Sequence, residues 1–275
     1  MPADTDAADR GLRVASERDG AVVRLTLDRP SQLNALDDQL RRALDEQLHH
    51  LDERPEVRVV VLDGAGRAFS AGADLRRTAY PHVEGDWVTR RHRTATWQRT
   101  LEHLGRISQA TVVRLHGHVI GGAALLAAAC DLRIAADDVV VRIPELAIGI
   151  PLTWAGVPLL VREVGLPLAR DWVMTGREVR VEELLRSGFA QRIAPAAELD
   201  AALDRCLDEL LAAPPGPLAM TRAMTAAIGR HHPAMATAWA DADLQQWAFT
   251  EDEYRRAAAA YVAGTTRRPE AQPPT

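Results

Sequence analysis

Apolar positions along the chain switch between two periods, and the switches mark its elements. Ala21–Leu27 and Val57–Asp63 are β-branched runs bounded by turn residues, which predicts strands. Between them Leu36, Leu40, Leu44, Leu48 and Leu51 recur every three or four positions, the spacing of one helix face. The rhythm returns with a strand expected over Thr111–His116, a helix over Gly122–Cys130, and strands over Leu132–Ala135 and Val139–Ile143. Strands that alternate with helices predict α/β layering. Beyond Pro151 the strand signal nearly vanishes, and helices are expected over Leu168–Thr175, Glu198–Ala213, Pro217–Gly229, Met235–Trp247 and Thr250–Ala263.

Proline sets the expected divisions, because it lacks an N–H and restricts the residue before it. Pro214, Pro215 and Pro217 around Gly216 separate a core over residues 20–213 from a helical lobe over 214–264. Residues 1–19 read as an N-terminal arm. The tail 265–275 has three prolines and few apolar residues, too few to order itself. No fixed repeat is evident, although a strand–strand–helix rhythm recurs loosely.

A length of 275 residues at 47% hydrophobic content supports a substantial core. A net charge of −5, with basic residues scattered among acids, leaves no footprint for nucleic acid. All 33 basic residues are arginine, so there is no lysine for a Schiff base, and guanidinium groups are the only permanent side-chain cations for phosphate. Cys130 and Cys206 stand far apart and read as free thiols of a reduced, cytoplasmic protein. The start of the chain is polar and acidic, unlike a secretory leader, and the longest apolar run is too short to span a bilayer.

Several motifs fail. Gly64-Ala65-Gly66 lacks the third glycine of a dinucleotide loop, and no Walker loop, His-Glu-x-x-His or Gly-x-Ser-x-Gly elbow occurs. His116 and His118 would share a strand face, but no third metal ligand follows at sensible spacing, so no metal site is expected. His49-His50 and His231-His232 read as surface or turn positions.

Three stretches carry a resemblance. Arg67-Ala68-Phe69-Ser70-Ala71-Gly72-Ala73-Asp74-Leu75 and His116-Gly117-His118-Val119-Ile120-Gly121-Gly122-Ala123 lie about fifty residues apart, each in a strand–turn–helix setting, and Ile143-Pro144-Glu145-Leu146-Ala147-Ile148-Gly149 follows. Together with Asp28–Leu36, in which Asn34 is a candidate helix cap, they resemble the enoyl-CoA hydratase/isomerase (crotonase) family over about residues 20–262. The resemblance implies an α/β fold, a crotonase-like spiral of ββα units with a C-terminal helical lobe. It also implies an acyl-CoA thioester as partner, no metal or redox cofactor beyond the coenzyme A moiety, and assembly as a homotrimer or dimer of trimers.

By the same resemblance, the backbone N–H groups of Ala71 and Gly122 stabilise a thioester enolate, since donors fixed beforehand lower the barrier without reorganising. Gly122 also opens an apolar helix whose dipole favours an anion. Alternatively, the Gly121-Gly122-Ala123 run only lets two elements pack closely. Ala71, Gly72, Ala73, Asp74 and Leu75 would line the coenzyme arm, with Asp74 alternatively a cap or structural group. Arg29, Arg76 and Arg77 are candidate phosphate partners, or solvated surface residues. Tyr261 matches an aromatic position from which a C-terminal helix covers the coenzyme.

Glu145 is the expected general acid/base, because its apolar surroundings would raise its pKa. Family members that add water generally use two glutamates, and the position of the first is Leu125 here. That departure points to double-bond isomerisation more than to hydration. Hydration or dehydration with water held by His118 remains an alternative, as does a silent acyl-CoA-binding protein. Trp97 and Trp154 are candidate walls of the acyl pocket.

Overall fold

The computed structural model describes residues 7–75 and 85–266. The chain pairs β1 (Leu12–Glu17), β2 (Val22–Leu27), β3 (Val59–Gly64), β4 (Ala110–Leu115), β6 (Leu132–Ala136) and β9 (Arg192–Ala194) in that order into a six-stranded sheet. Only β1 and β2 pair antiparallel; the other four pairings are parallel. Every residue of β3 is buried, as a continuous Val-Val-Val-Leu run demands when both faces of a parallel strand are covered. The described part of the expected 1–19 arm, from residue 7 on, is therefore more than an arm, since Leu12–Glu17 supplies the edge strand. Its signal in sequence is faint because an edge strand buries little, here Leu12 alone.

A second sheet joins β5 (His118–Ile120), β7 (Val140–Arg142) and β8 (Glu178–Arg180), with β5 and β7 parallel and β8 antiparallel to β7. The strands of the main sheet are joined through α1 (Asp38–Asp52), α2 (Trp87–Thr94), α3 (Thr96–Leu104) and α4 (Gly122–Ala129). All eight residues of α4 are buried, and α1 turns one stripe, Leu40, Leu44, Leu48 and Leu51, to the core. The cap of α1 is Asp37, whose carboxylate accepts from Leu40 N at 2.9 Å. Asn34 caps no helix.

After the single turn α5 (Glu145–Ile148) come α6 (Gly156–Thr175), α7 (Val181–Arg186), α8 (Leu199–Ala212), α9 (Pro215–Arg230), α10 (Asp241–Thr250) and α11 (Asp252–Thr266). A 3-10 turn, Pro233–Ala240, connects α9 to α10. The C-terminal helices fold back onto the core. The buried Arg222 of α9 donates to Leu104 O and Ile107 O and pairs with Asp131, while Arg91 of α2 pairs with Asp243 of α10 at 2.7 Å. The tail beyond Thr266 lies outside the described residues. Cys130 and Cys206 are buried and free, and burial pushes the Cys130 thiol up to about 12. No described helix is long and apolar enough to cross a membrane.

Candidate active site

The segment after β3 lies between two others, and this decides which of its amides are free. On one side Phe69 N donates to His116 O (2.9 Å), Ser70 N to His118 O (3.1 Å), and Ile120 N back to Ser70 O (3.1 Å). On the other side Ala71 N donates to Leu33 O (2.8 Å), Leu36 N to Gly72 O (2.8 Å), and Asp74 N to Leu36 O (3.0 Å). Gly72 N reaches Ser70 Oγ, which in turn donates to Asn34 O. From Phe69 to Asp74, Ala73 N–H alone has no partner among the described residues. The expected Ala71 donor is thus corrected: its N–H is already used inside the protein.

Asn34 organises this arrangement. Fully buried and with φ at 54°, it accepts from Arg29 N and donates to Ala65 O, Ala68 O and Phe69 O at 2.8–3.1 Å. One amide therefore holds the exit of β2 against the loop carrying Ala73, a role that no helix-capping rule would reveal.

Gly122 carries the second amide expected from the sequence. Gly121 N donates to Arg142 O, but Gly122 N, at the first position of α4, has no partner among the described residues. The two loops touch at Gly72: a Cβ there would fall 2.4 Å from Ile120 O and 3.7 Å from Gly122 N. Only glycine tolerates that approach together with a φ of +80°.

Glu145 opens α5, a turn closed by Gly149 in the left-handed region. The residue as a whole is partly buried, yet its Oε2 is sealed from solvent and without a hydrogen-bond partner. Its Oε1 sits 2.5 Å from where a Cβ on Gly121 would be. Burial pushes the carboxyl pKa up to about 7, and no charged neighbour contributes. The arrangement sets a carboxyl raised to about 7 beside Gly121, next to an amide at a helix start that has no partner among the described residues. It can move a proton next to a carbonyl while the amides hold the oxygen's charge.

A cavity of about 680 Å³ opens between α1, α2, α3, α5 and α10, with Ala73, Leu75, Trp97 and Trp154 in its wall. Trp97 and Trp154 stack with centroids 5.1 Å apart at 17°. The Trp154 indole also covers Gly122, with Cζ3 2.3 Å from the position of an added Cβ. Neither Gly122 nor Glu145 lines the cavity, and at Gly122 the indole is what covers the amide. Trp154 and Ala155 are both left-handed, at φ 61° and 58°, which is costly for residues with side chains. The C-terminal helices hold that turn: Asp241 accepts from Ala155 N at 2.8 Å, and Thr153 Oγ1 meets Gln245 Oε1 at 2.9 Å. Burial pushes Asp241 up to about 6.

The sequence pattern described as Enoyl-CoA hydratase/isomerase matches residues 17–269. The chain belongs to the enoyl-CoA hydratase/isomerase family. The probable enoyl-CoA hydratase echA8 of Mycobacterium tuberculosis is 33% identical over 183 residues, 66% of this chain and 69% of that one. The human mitochondrial Delta(3,5)-Delta(2,4)-dienoyl-CoA isomerase is 31% identical over 208 residues, 72% of this chain and 63% of that one. Among solved structures, a putative enoyl-CoA hydratase from Thermobifida fusca in complex with CoA superposes with TM-score 0.76 at 29% identity, covering 97% of this chain and 98% of that one. An enoyl-CoA hydratase from Mycobacterium avium subsp. paratuberculosis shares the fold with TM-score 0.81 at 22% identity, covering 96% and 99%.

Within this family framework, several expected site residues have other positions. Arg29 is not available to phosphate, because its guanidinium pairs with Asp37 (3.0 Å) and Asp74 (3.4 Å) and donates to Ala35 O and Gln32. Asp74 is accordingly a structural partner of Arg29. His118 is exposed on β5 and does not face the cavity, since Val119 is the inward residue of that strand. Leu125 is core: a Cβ on Gly156 would meet its Cδ1 at 2.8 Å. Tyr261 packs against the cluster of Ile148, Tyr254 and Ala258, but it is Tyr254 that lines the cavity. Arg76 and Arg77 lie outside the described residues. The sequence reading missed Arg41, Arg42, His92 and Arg93 at the cavity wall, because helical arginines and histidines have no distinguishing pattern until α1 and α2 are brought together.

Proposed function

We propose that this member of the family is an acyl-CoA double-bond isomerase in which Glu145 is the single general acid/base. In the proposed step its carboxylate takes a proton from the carbon next to the thioester carbonyl of a 3-enoyl-CoA. The resulting dienolate carries its charge on the carbonyl oxygen, held by the N–H groups of Ala73 and Gly122 once the Trp154 indole has turned off Gly122, and the same carboxyl returns the proton two carbons further along. One proton moves, one double bond shifts, and the thioester stays intact, so the step itself calls for no redox group.

The observation that carries this reading is the enclosed carboxyl of Glu145 beside Gly121, raised by burial with no charged neighbour. A second glutamate sharing a water would add such a neighbour, and the position that would hold it is the buried Leu125. The name of the echA8 relative favours hydration as a second reading. The exposed His118 offers no support for holding the water. Arg41 and Arg42 at the cavity wall are the proposed phosphate partners in place of Arg29: both pair with Asp38, at 2.9 and 2.6 Å, but that carboxylate is exposed and can give way to phosphate, whereas the partners of Arg29 are buried.

Incubation with 3-enoyl-CoA and 2-enoyl-CoA, followed by chromatography of the products, separates the readings. The expected result is interconversion of the two enoyl thioesters without 3-hydroxyacyl-CoA. Dominant 3-hydroxyacyl-CoA would establish hydration instead, and absence of any turnover would leave a binding protein.

Met220, Met224 and Ile228 recur every four residues along α9 and are 67–74% exposed. That stripe supports the proposal that copies of the chain assemble through the C-terminal lobe. Sedimentation equilibrium is expected to show a trimer or a multiple of it, reduced in mass by Met224→Arg; a monomer would refute the assembly.

A further inference from the structure

α1 and α3 lie side by side, and where they meet away from the cavity they bring together three groups of the kind that bind transition metals. Asp45 and His49, one helical turn apart on α1, face His103 on α3. One ligand atom from each lies within 4.8 Å of the other two. Ligand bonds of about 2.0–2.1 Å around a tetrahedral ion put neighbouring ligand atoms about 3.3 Å apart. In the inferred site, side-chain rotation would have to close that difference. The backbone is fixed by the core behind it, where Leu44, Leu48, Leu101 and Leu104 are all buried.

The cluster is also oriented. His103 Nε2 lies 2.9 Å from Asp52 Oδ2, and its other nitrogen, Nδ1, faces Asp45 Oδ1 at 3.6 Å. A carboxylate on the far nitrogen is the arrangement that fixes the ring and the tautomer of a metal-binding histidine. Thr100 Oγ1 donates to Asp45 Oδ1 at 3.4 Å, and Arg41 stands 3.9 Å from Asp45 Oδ2, so this carboxylate is positioned as well. The His49 and His103 rings are 4.4 Å apart between centroids, close enough for both to turn a nitrogen to one ion.

We infer that Asp45, His49 and His103 form a binding site for a divalent, imidazole-preferring transition ion of the Zn²⁺ class, with Asp52 as the positioning carboxylate. Two nitrogens and one oxygen disfavour Mg²⁺ and Ca²⁺, which take oxygen ligands. Three protein ligands leave a position for water. The ion would tie α1 to α3, and these helices carry Arg41, Arg42 and Trp97 of the cavity wall. The site is separate from the chemistry proposed for Glu145 and does not depend on it.

The test is titration of the chelator-treated full-length protein with Zn²⁺ by calorimetry and with Co²⁺ by visible absorption. One saturable site is expected, weakened at least about tenfold by His49→Ala and by His103→Ala, and by about 10–100-fold in Asp52→Asn. Mg²⁺ should not compete. Zn²⁺ should raise the thermal midpoint of the parent and not that of His49→Ala, a replacement at an exposed position. Absence of saturable Zn²⁺ uptake, or uptake unchanged in both histidine variants, would overturn the site and leave a hydrogen-bonded His–Asp surface cluster.

Discussion

Glu145→Gln is expected to reduce turnover of an enoyl-CoA by about 10²–10⁴-fold, the usual contribution of a positioned acid/base. The same change should make the protein more stable in mild alkali. In the folded protein the carboxyl is pushed from its ordinary 4.5 up to about 7, so the fold favours the protonated form. As pH rises from 4.5 towards 7, the unfolded chain releases its proton before the folded one, and stability falls. Above pH 7 the loss levels off, at most about 3 kcal/mol for a shift of this size. Glutamine has no proton to release and should remove that slope. The parent's kcat/KM, read for proton abstraction, should rise with pH through about 7 and then level. Rate profiles and thermal midpoints at pH 5 and pH 8 check both halves. A Gln variant with undiminished turnover would end the assignment of Glu145.

Gly121→Ala should be nearly as damaging to rate, by a different route. The residue has φ 52° and ψ −119°, a conformation that a side chain resists, and an added Cβ would lie 2.5 Å from Glu145 Oε1. The carboxyl tip is the group able to yield, so the strain falls on the position of the acid/base. A displacement of about 1 Å typically costs about 10²-fold in rate, and a fall in kcat of that order is expected. Coenzyme A affinity should change little, because the cavity wall does not include Gly121. Steady-state kinetics alongside calorimetric CoA binding measure the two separately. Parallel loss of both would mean that the substitution unfolds the second sheet, since Gly121 N also holds Arg142 O.

Much of the fold was legible because its elements obey strong local rules. A Val-Val-Val-Leu run buried on both faces reads as a central parallel strand, and the leucine stripe of α1 reads as a helix wherever it packs. Elements held by tertiary contacts were harder to find. The edge strand β1 shows one buried residue, and β8 and β9 are three residues each, paired at their ends of the sheets to strands distant in sequence. The helices α2 and α3 fell between stronger signals and were not expected, although α3 supplies Trp97 to the cavity.

The site divides along the same line. By itself the sequence determined the glycine-rich loops, the acidic turn at Glu145, and the apolar residue at 125, because each is a local choice of residue type at a short spacing. Only the tertiary structure decided which amides are free, since that depends on what lies alongside: Leu33 O takes the N–H of Ala71 and leaves that of Ala73. It likewise turned Arg29 inward onto Asp37 and Asp74, laid Trp154 over Gly122, and set His103 beside His49. Hydrogen-bond partners and ring contacts arise between segments far apart in the chain, and one sequence read along its length does not contain those distances.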